Sequence, residues 1–534
     1  MIPFFSRNCL AFSLTIILPL THGREIIVMW RSVRTLLAST LLGGTMLATA
    51  TAAPLPATQP ARAQVQFMLR RLSFSATPEA VTQVQTGGIA AWLATQENWQ
   101  NIDDSGSELE TLPTALVNGQ YPDYNIFERV LVQHMILTNR QLQAKLELHW
   151  LDHFSVSLSG VGDPAVMYHY DQTVRADALG NFQQLLTDVA MEPAMLIWLD
   201  NNYNSGSTPN ENFAREVMQL YSTGVYALNS DGSLKIGKKG TPALNYNQPD
   251  VEALAKAMTG YGVVFDPNNN NPETRFSVQY YPENHYNGTI KYFGKVQPVP
   301  TDGTAIAFVM GQLAHRPSTA PFEVTELLQR FVTETPSPQF ISDITAVWKK
   351  TENKPDQIAE VMTAIVNDPE FFASYDSMLK QPVELVFDAL RAMPGMMQAT
   401  VNVEPGSSLL WELNELGQEL FYPATVFSFY RPGNLSSTVN TSTVLARTSV
   451  LANLTNAQQS GSYTDTWIDI PTLLTRVGSD DGNAIGAYLL DALVDGGSPK
   501  LQAQIYKFLG HHPDATQISG TIWLLLNAPD FAVN

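Results

Sequence analysis

Residues 126–151 read IFERVLVQHMILTNRQLQAKLELHWL, a run with the spacing of one long amphipathic helix. Leu142, Leu146, His149, Trp150 and His153 fall on one stripe at intervals of three and four, the pattern of a helix face turned to a core. The same period recurs along the chain. Residues 175–190 carry Leu179, Phe182, Leu186 and Val189 at helical spacing, and Pro193 restarts a short helix through Met195, Leu196 and Trp198. The period returns over 251–258, 322–331, 357–366, 383–393, 485–493 and 518–526. Thr77-Pro78-Glu79 is a helix start, with a capping hydroxyl, a proline in the first turn and an acid beside the positive end of the dipole. Two stretches break the pattern. Residues 225–246 alternate around the turn signal Asn229-Ser230-Asp231-Gly232, and 276–293 are strand-like, interrupted at Glu283-Asn284 and Asn287-Gly288. The expected fold is mainly α: a single large multi-helix body with a small β-hairpin excursion.

The chain has 534 residues, of which 44% are apolar and 15% charged, enough for a sizeable core. Its net charge of −19 repels phosphate backbones, so nucleic acid is not an expected partner. A glycan, a basic or neutral ligand or another protein fits better.

The first 52 residues read as a leader. Translation is expected to start at Met29. Trp30, Arg31 and Arg34 form a basic stretch, residues 35–50 are apolar, and Ala50-Thr51-Ala52 supplies the small residues that a signal peptidase reads; cleavage after Ala63 fits as well. The apolar run is shorter than the ~20 residues of a membrane span, and no later segment reaches that length. A signal peptide over 1–52, a Pro/Ala-rich linker over 53–64 and a body over 65–534 are therefore expected, with export to the periplasm or the extracellular space. Cys9, the single cysteine, falls in the leader. The exported body then has no disulfide, no thiolate nucleophile and no cysteine metal site.

The densest polar cluster runs from Trp198-Leu199-Asp200-Asn201-Asn202-Tyr203-Asn204 to Pro209-Asn210-Glu211-Asn212-Phe213-Ala214-Arg215-Glu216. Asn210 is a natural N-cap, and Glu211 and Arg215 form a favourable i,i+4 pair. Glu216 lies ~140° round the helix from Glu211. Asp200, Glu211 and Glu216, with His153, are the candidate acid/base residues; Asn201, Asn210, Asn212, Arg215, Trp150 and His285 are candidate binding residues. The competing reading is structural: a first-turn acid, an ion pair and loop-organising amides. His149 and His153 at i,i+4 have the spacing of transition-metal ligands, but a third ligand is not identifiable, and on an apolar stripe a hydrogen-bonded core histidine is the commoner case. No metal ligand set is assigned, and the cofactor stays open. The Asn-rich loop at 266–273 lacks the spacing of a calcium loop, and no phosphate-binding glycine loop or nucleophile elbow occurs.

At these residues the chain resembles the domain-of-unknown-function 1800 family. The resemblance runs through Arg70-Arg71-Leu72-Ser73-Phe74, Trp150-Leu151-Asp152-His153-Phe154, Ala178-Leu179-Gly180-Asn181-Phe182, Leu199-Asp200-Asn201, Asn210 to Glu216, Thr259-Gly260-Tyr261, His285 with Lys291 and Gly294, and Ala528-Pro529-Asp530-Phe531. It implies bacterial export and a partner resembling the sulfatase/alkaline-phosphatase group, and it implies no established reaction. Leu151 and Tyr286 stand where the family usually has His and Asp, both potential ligands. Two functions arise as expectations. One is a non-catalytic envelope or extracellular protein that binds a glycan or a partner. The other is a secreted hydrolase acting on an envelope or extracellular polymer. The enzyme requires the motif carboxylates and His153 to converge within ~5 Å in a cleft. The binding protein requires them to be buried and mutually satisfied, with aromatics exposed elsewhere.

Overall fold

The helical period is met almost everywhere it occurs. A computed structural model describes residues 60–107, 126–266, 268–269, 274–375, 378–393, 395–397, 409–423, 425–429, 439–456 and 466–533. The leader, Cys9, most of the linker and most of the Asn-rich loop lie outside the described residues. Among those described there are 24 α-helices and three two-stranded antiparallel sheets, so the fold is mainly α. The described residues belong to one compact unit, Ala52–Asn534.

Local chemistry sets the helix ends. Thr77 accepts the Ala80 N–H at 3.2 Å, and Pro78 opens the helix Pro78–Gly87. The run over 126–151 is broken, however, into Ile126–Leu137 and Gln141–Phe154. The break is held by side chains. The Gln141 amide donates to the carbonyls of Thr138 (2.9 Å) and Met135 (3.3 Å), while Asp104 accepts from the Thr138 hydroxyl and the Asn139 N–H. The Gln141 bonds satisfy terminal carbonyls, and the Asp104 bond an N–H, that a continuous helix would have paired internally. Residues 175–190 are interrupted in the same way: one helix ends at Asp177, and Asn181 caps Phe182–Ala190 by accepting from Gln183 and Gln184.

The β excursion has three parts. Residues 226–244 form a narrow arm with isolated pairs Tyr226–Leu244, Leu228–Leu234 and Ile236–Pro242 around the expected turn. Tyr261–Phe265 pairs with Phe276–Tyr280, and Thr289–Tyr292 with Lys295–Pro298. A third short pair joins Gly395–Met397 to Thr466–Ile468.

Trp150 lies at the centre of the core. It is fully buried, its indole N–H donates to the Ala178 carbonyl at 3.1 Å, and Phe154 and Phe182 pack about it. Buried charges clamp distant helices together. Glu384, on Pro382–Ala392, pairs with Lys145 of Gln141–Phe154 and, at 3.1 Å, with Arg330 of Thr319–Phe331. Asp388, one turn on, pairs with Arg70 at 3.1 Å and Lys380 at 2.6 Å. Such pairs add little net stability, but removing one partner strands a buried charge, so they fix which helices meet.

Candidate functional site: a histidine–carboxylate cavity

Two helices build the site. Gln141–Phe154 turns Leu142, Leu146, Trp150 and Phe154 into the core, and the same stripe carries His149 and, one turn later, His153. Thr319–Phe331 buries Ala320, Val324, Leu327, Leu328 and Phe331, with Glu323 fully buried among them. Glu326 is three residues on, and Arg330 one turn further. Between the helices lies a cavity of about 320 Å³, lined by His149, Asp152, His153, Glu326 and Arg330 and closed by Gly224, Tyr226, Phe322 and Ser428. Gly224 is required there. Its φ is +70°, and a Cβ would stand 2.9 Å from the Phe322 ring.

His153 sits between two carboxyl groups. Its Nδ1 is 2.7 Å from Glu326 Oε2, and its Nε2 is 3.7 Å from Glu323 Oε2. The His153 side chain is 2% exposed, that of Glu323 0% and that of Glu326 23%, so Glu326 is the member nearest solvent. Among the described residues, neither Glu323 oxygen has a hydrogen-bond partner, and neither does Nε2 of His149 or of His153. Burial, reinforced by the Glu326 charge, pushes the Glu323 carboxyl well above its ordinary value. Burial likewise drives the His149 imidazole well below its ordinary value, helped by His153 and Arg330. Asp152 is raised to about 6 by burial, against the pull of Arg330 and of hydrogen bonds from Ser428 (3.1 Å) and Gln381 (3.4 Å).

The family match now has a setting. The family model described as "Protein of unknown function (DUF1800)" matches residues 67–533. The chain belongs to this family. No curated protein and no solved structure matches it.

The residues singled out from the sequence divide into two groups. Trp150 and His153 lie at the cavity helix. The Asn-rich segment stitches loops: Asn201 donates to the Met258 carbonyl, Asn204 accepts the Asn210 N–H, Asn210 accepts the Asn212 N–H, and Asn212 donates to the Leu199 carbonyl. Asp200 is exposed in a left-handed turn at φ 58°, its carbonyl accepting from the Asn210 side chain. Glu211 pairs with Arg215 at 2.8 Å near the surface and accepts from Gln248. His285 belongs to the same nexus, with Nδ1 2.7 Å from the Thr259 carbonyl. None of Asp200, Asn201, Asn210, Glu211, Asn212, Arg215, Glu216 or His285 lines the cavity. The helix Asn212–Gln219 reaches it only at its C-terminal end, where Gln219 and Leu220 line it and Tyr221 packs against His153 with ring centres 6.1 Å apart.

Polar density in the sequence does not single out Glu323, Glu326 or Arg330. A signal existed nonetheless. Glu323-Val324-Thr325-Glu326 puts two acids at i,i+3 on one helix face, and the first falls in register with the apolar stripe.

Proposed function

We propose that the protein is exported and works beyond the cytoplasm as a hydrolase on an envelope or extracellular polymer, with the His153–Glu326 cavity as its centre. The observation that carries this reading is the convergence of His149, His153, Glu326, Asp152 and Arg330 around one cavity, with the buried Glu323 beside His153, although the core would be more stable with apolar residues there. Its volume suits a chain end or a small substituent rather than a long polymer segment. Glu326, the most exposed of the three acid–histidine partners, is the group placed to meet a substrate.

One observation favours a binding protein instead. Tyr226, Leu234, Ile236 and Leu244 on the β arm are exposed, Ile236 by 64% and Leu244 by 61%, and Tyr226 also borders the cavity. A glycan, or an exported partner of the sulfatase/alkaline-phosphatase-like group, would bind there without any reaction. The two readings separate in one experiment: purified cell-wall and extracellular polysaccharide incubated with the protein, with released fragments read by chromatography. The hydrolase releases fragments, and Glu326→Gln lowers the rate by roughly 100-fold or more with its melting temperature kept. Retention on the polymer with no release overturns the hydrolase and supports the binding protein.

A further inference from the structure

We propose that His153, Glu323 and Glu326 bind one divalent cation of the zinc class. One ligand atom from each lies within 4.8 Å of the others. Ligands at ~2.0–2.2 Å from a tetrahedral zinc stand roughly 3.3–3.6 Å apart, so the cluster needs about an ångström of side-chain adjustment, within the range of a glutamate rotamer. The second observation is burial without partners. Glu323 is completely enclosed, and among the described residues neither of its oxygens accepts a hydrogen bond. A carboxylate in that position costs several kcal/mol unless a cation compensates it. His149 adds a third orphan: it lines the same cavity, is 2% exposed, and its Nε2 has no hydrogen-bond partner among the described residues.

The donor set chooses the metal. One imidazole and two carboxylates are too few oxygens for calcium or magnesium, which take six or more hard ligands. Three protein ligands with a nitrogen among them, two of which (His153 and Glu326) line the cavity, are what zinc, or cobalt in its place, accepts while keeping a position for water or a bound group. The two glutamates neutralise a dication. The clamp around Glu384 holds the ligand helices in place: Lys145 is on the histidine helix and Arg330 on the glutamate helix. The inference shares its cavity with the hydrolase reading and depends on nothing else in it.

The test is metal content, read without any turnover. The full chain, purified without chelator or metal-affinity tag, is equilibrated with excess Zn²⁺, desalted and assayed by elemental analysis. It is also loaded with Co²⁺ for its visible ligand-field spectrum. About one metal per chain is expected, with a tetrahedral-type cobalt band. Glu323→Leu puts an apolar side chain of similar size into an apolar wall, so it folds, and it should lower Zn²⁺ affinity by roughly 100-fold or more. Glu211→Gln, outside the cavity, should leave the stoichiometry unchanged. The proposal is overturned if the wild-type chain retains less than about a tenth of an equivalent. It is overturned equally if Glu323→Leu and His153→Gln hold as much metal as the wild type. Metal bound without polymer release leaves this inference standing and removes the hydrolase; polymer release by a wild-type chain that retains less than about a tenth of an equivalent of metal does the reverse.

Discussion

Replacing Glu384 by glutamine deletes the carboxylate shared by Lys145 and Arg330, all three of whose side chains are 3–4% exposed. Burial alone would raise the Glu384 carboxyl, but Arg330 and Lys145 more than offset this and hold it at about 2 against an ordinary 4.5. That difference of about 2.5 units corresponds to roughly 3 kcal/mol of folding stability at neutral pH. The sign follows from the depression: the contribution is complete above about 4.5 and is lost as pH falls towards 2. Glutamine also strands two cations. Burial already presses the Lys145 ammonium downward, and its deprotonation limits the damage. A loss of about 3–5 kcal/mol is expected, or roughly 3–5 °C in melting temperature for a body of this size. Calorimetry at pH 7.5 and pH 3.5 checks it, with the gap to wild type narrowing at the lower pH. Adding Lys145→Met to the variant should recover part of the loss, because one stranded cation goes with the anion. A shift below about 1 °C at pH 7.5, or a gap that widens towards acid, would refute the clamp.

Three further outcomes are expected. Gly224→Ala combines a left-handed backbone with a Cβ 2.9 Å from the Phe322 ring, and should cost about 1–3 kcal/mol in thermal denaturation while disturbing the cavity wall beside Glu323; an unchanged melting temperature would show that Phe322 moves freely. Asp177 is raised to about 7 by burial and by Asp188, so its ionisation weakens the fold as pH rises from about 3.8 through 7. Asp177→Asn should therefore raise the melting temperature at pH 8 more than at pH 4.5, and an equal gain at both would count against the shift. Glu211→Gln should change stability by no more than about 0.5 kcal/mol, because its pair with Arg215 is substantially exposed; a loss above about 2 kcal/mol in the same assay would show that the pair carries far more than its exposure allows.

The sequence by itself determined the helical class, because a repeating apolar stripe leaves a helix one way to satisfy its backbone and its core at once. It also placed the arm turn at 229–232, the cap at Thr77 and the helix that carries Trp150 and His153, all signals carried within a few neighbouring residues. It misplaced the helix breaks at 138–140 and 178–181, since these depend on Asp104 and on the Glu352 and Lys354 carbonyls, partners distant in sequence. It drew attention to the asparagine-rich segment because polar density is visible in a string of letters, although density does not distinguish loop stitching from chemistry. The partners of His153 were decided only by the tertiary structure. Glu323 and Glu326 lie some 170 residues further along the chain, brought in by packing of the two helices and held by Glu384. A buried acid in an apolar stripe reads locally as one polar residue among many. Its meaning depends on what stands opposite, and only the folded chain supplies that.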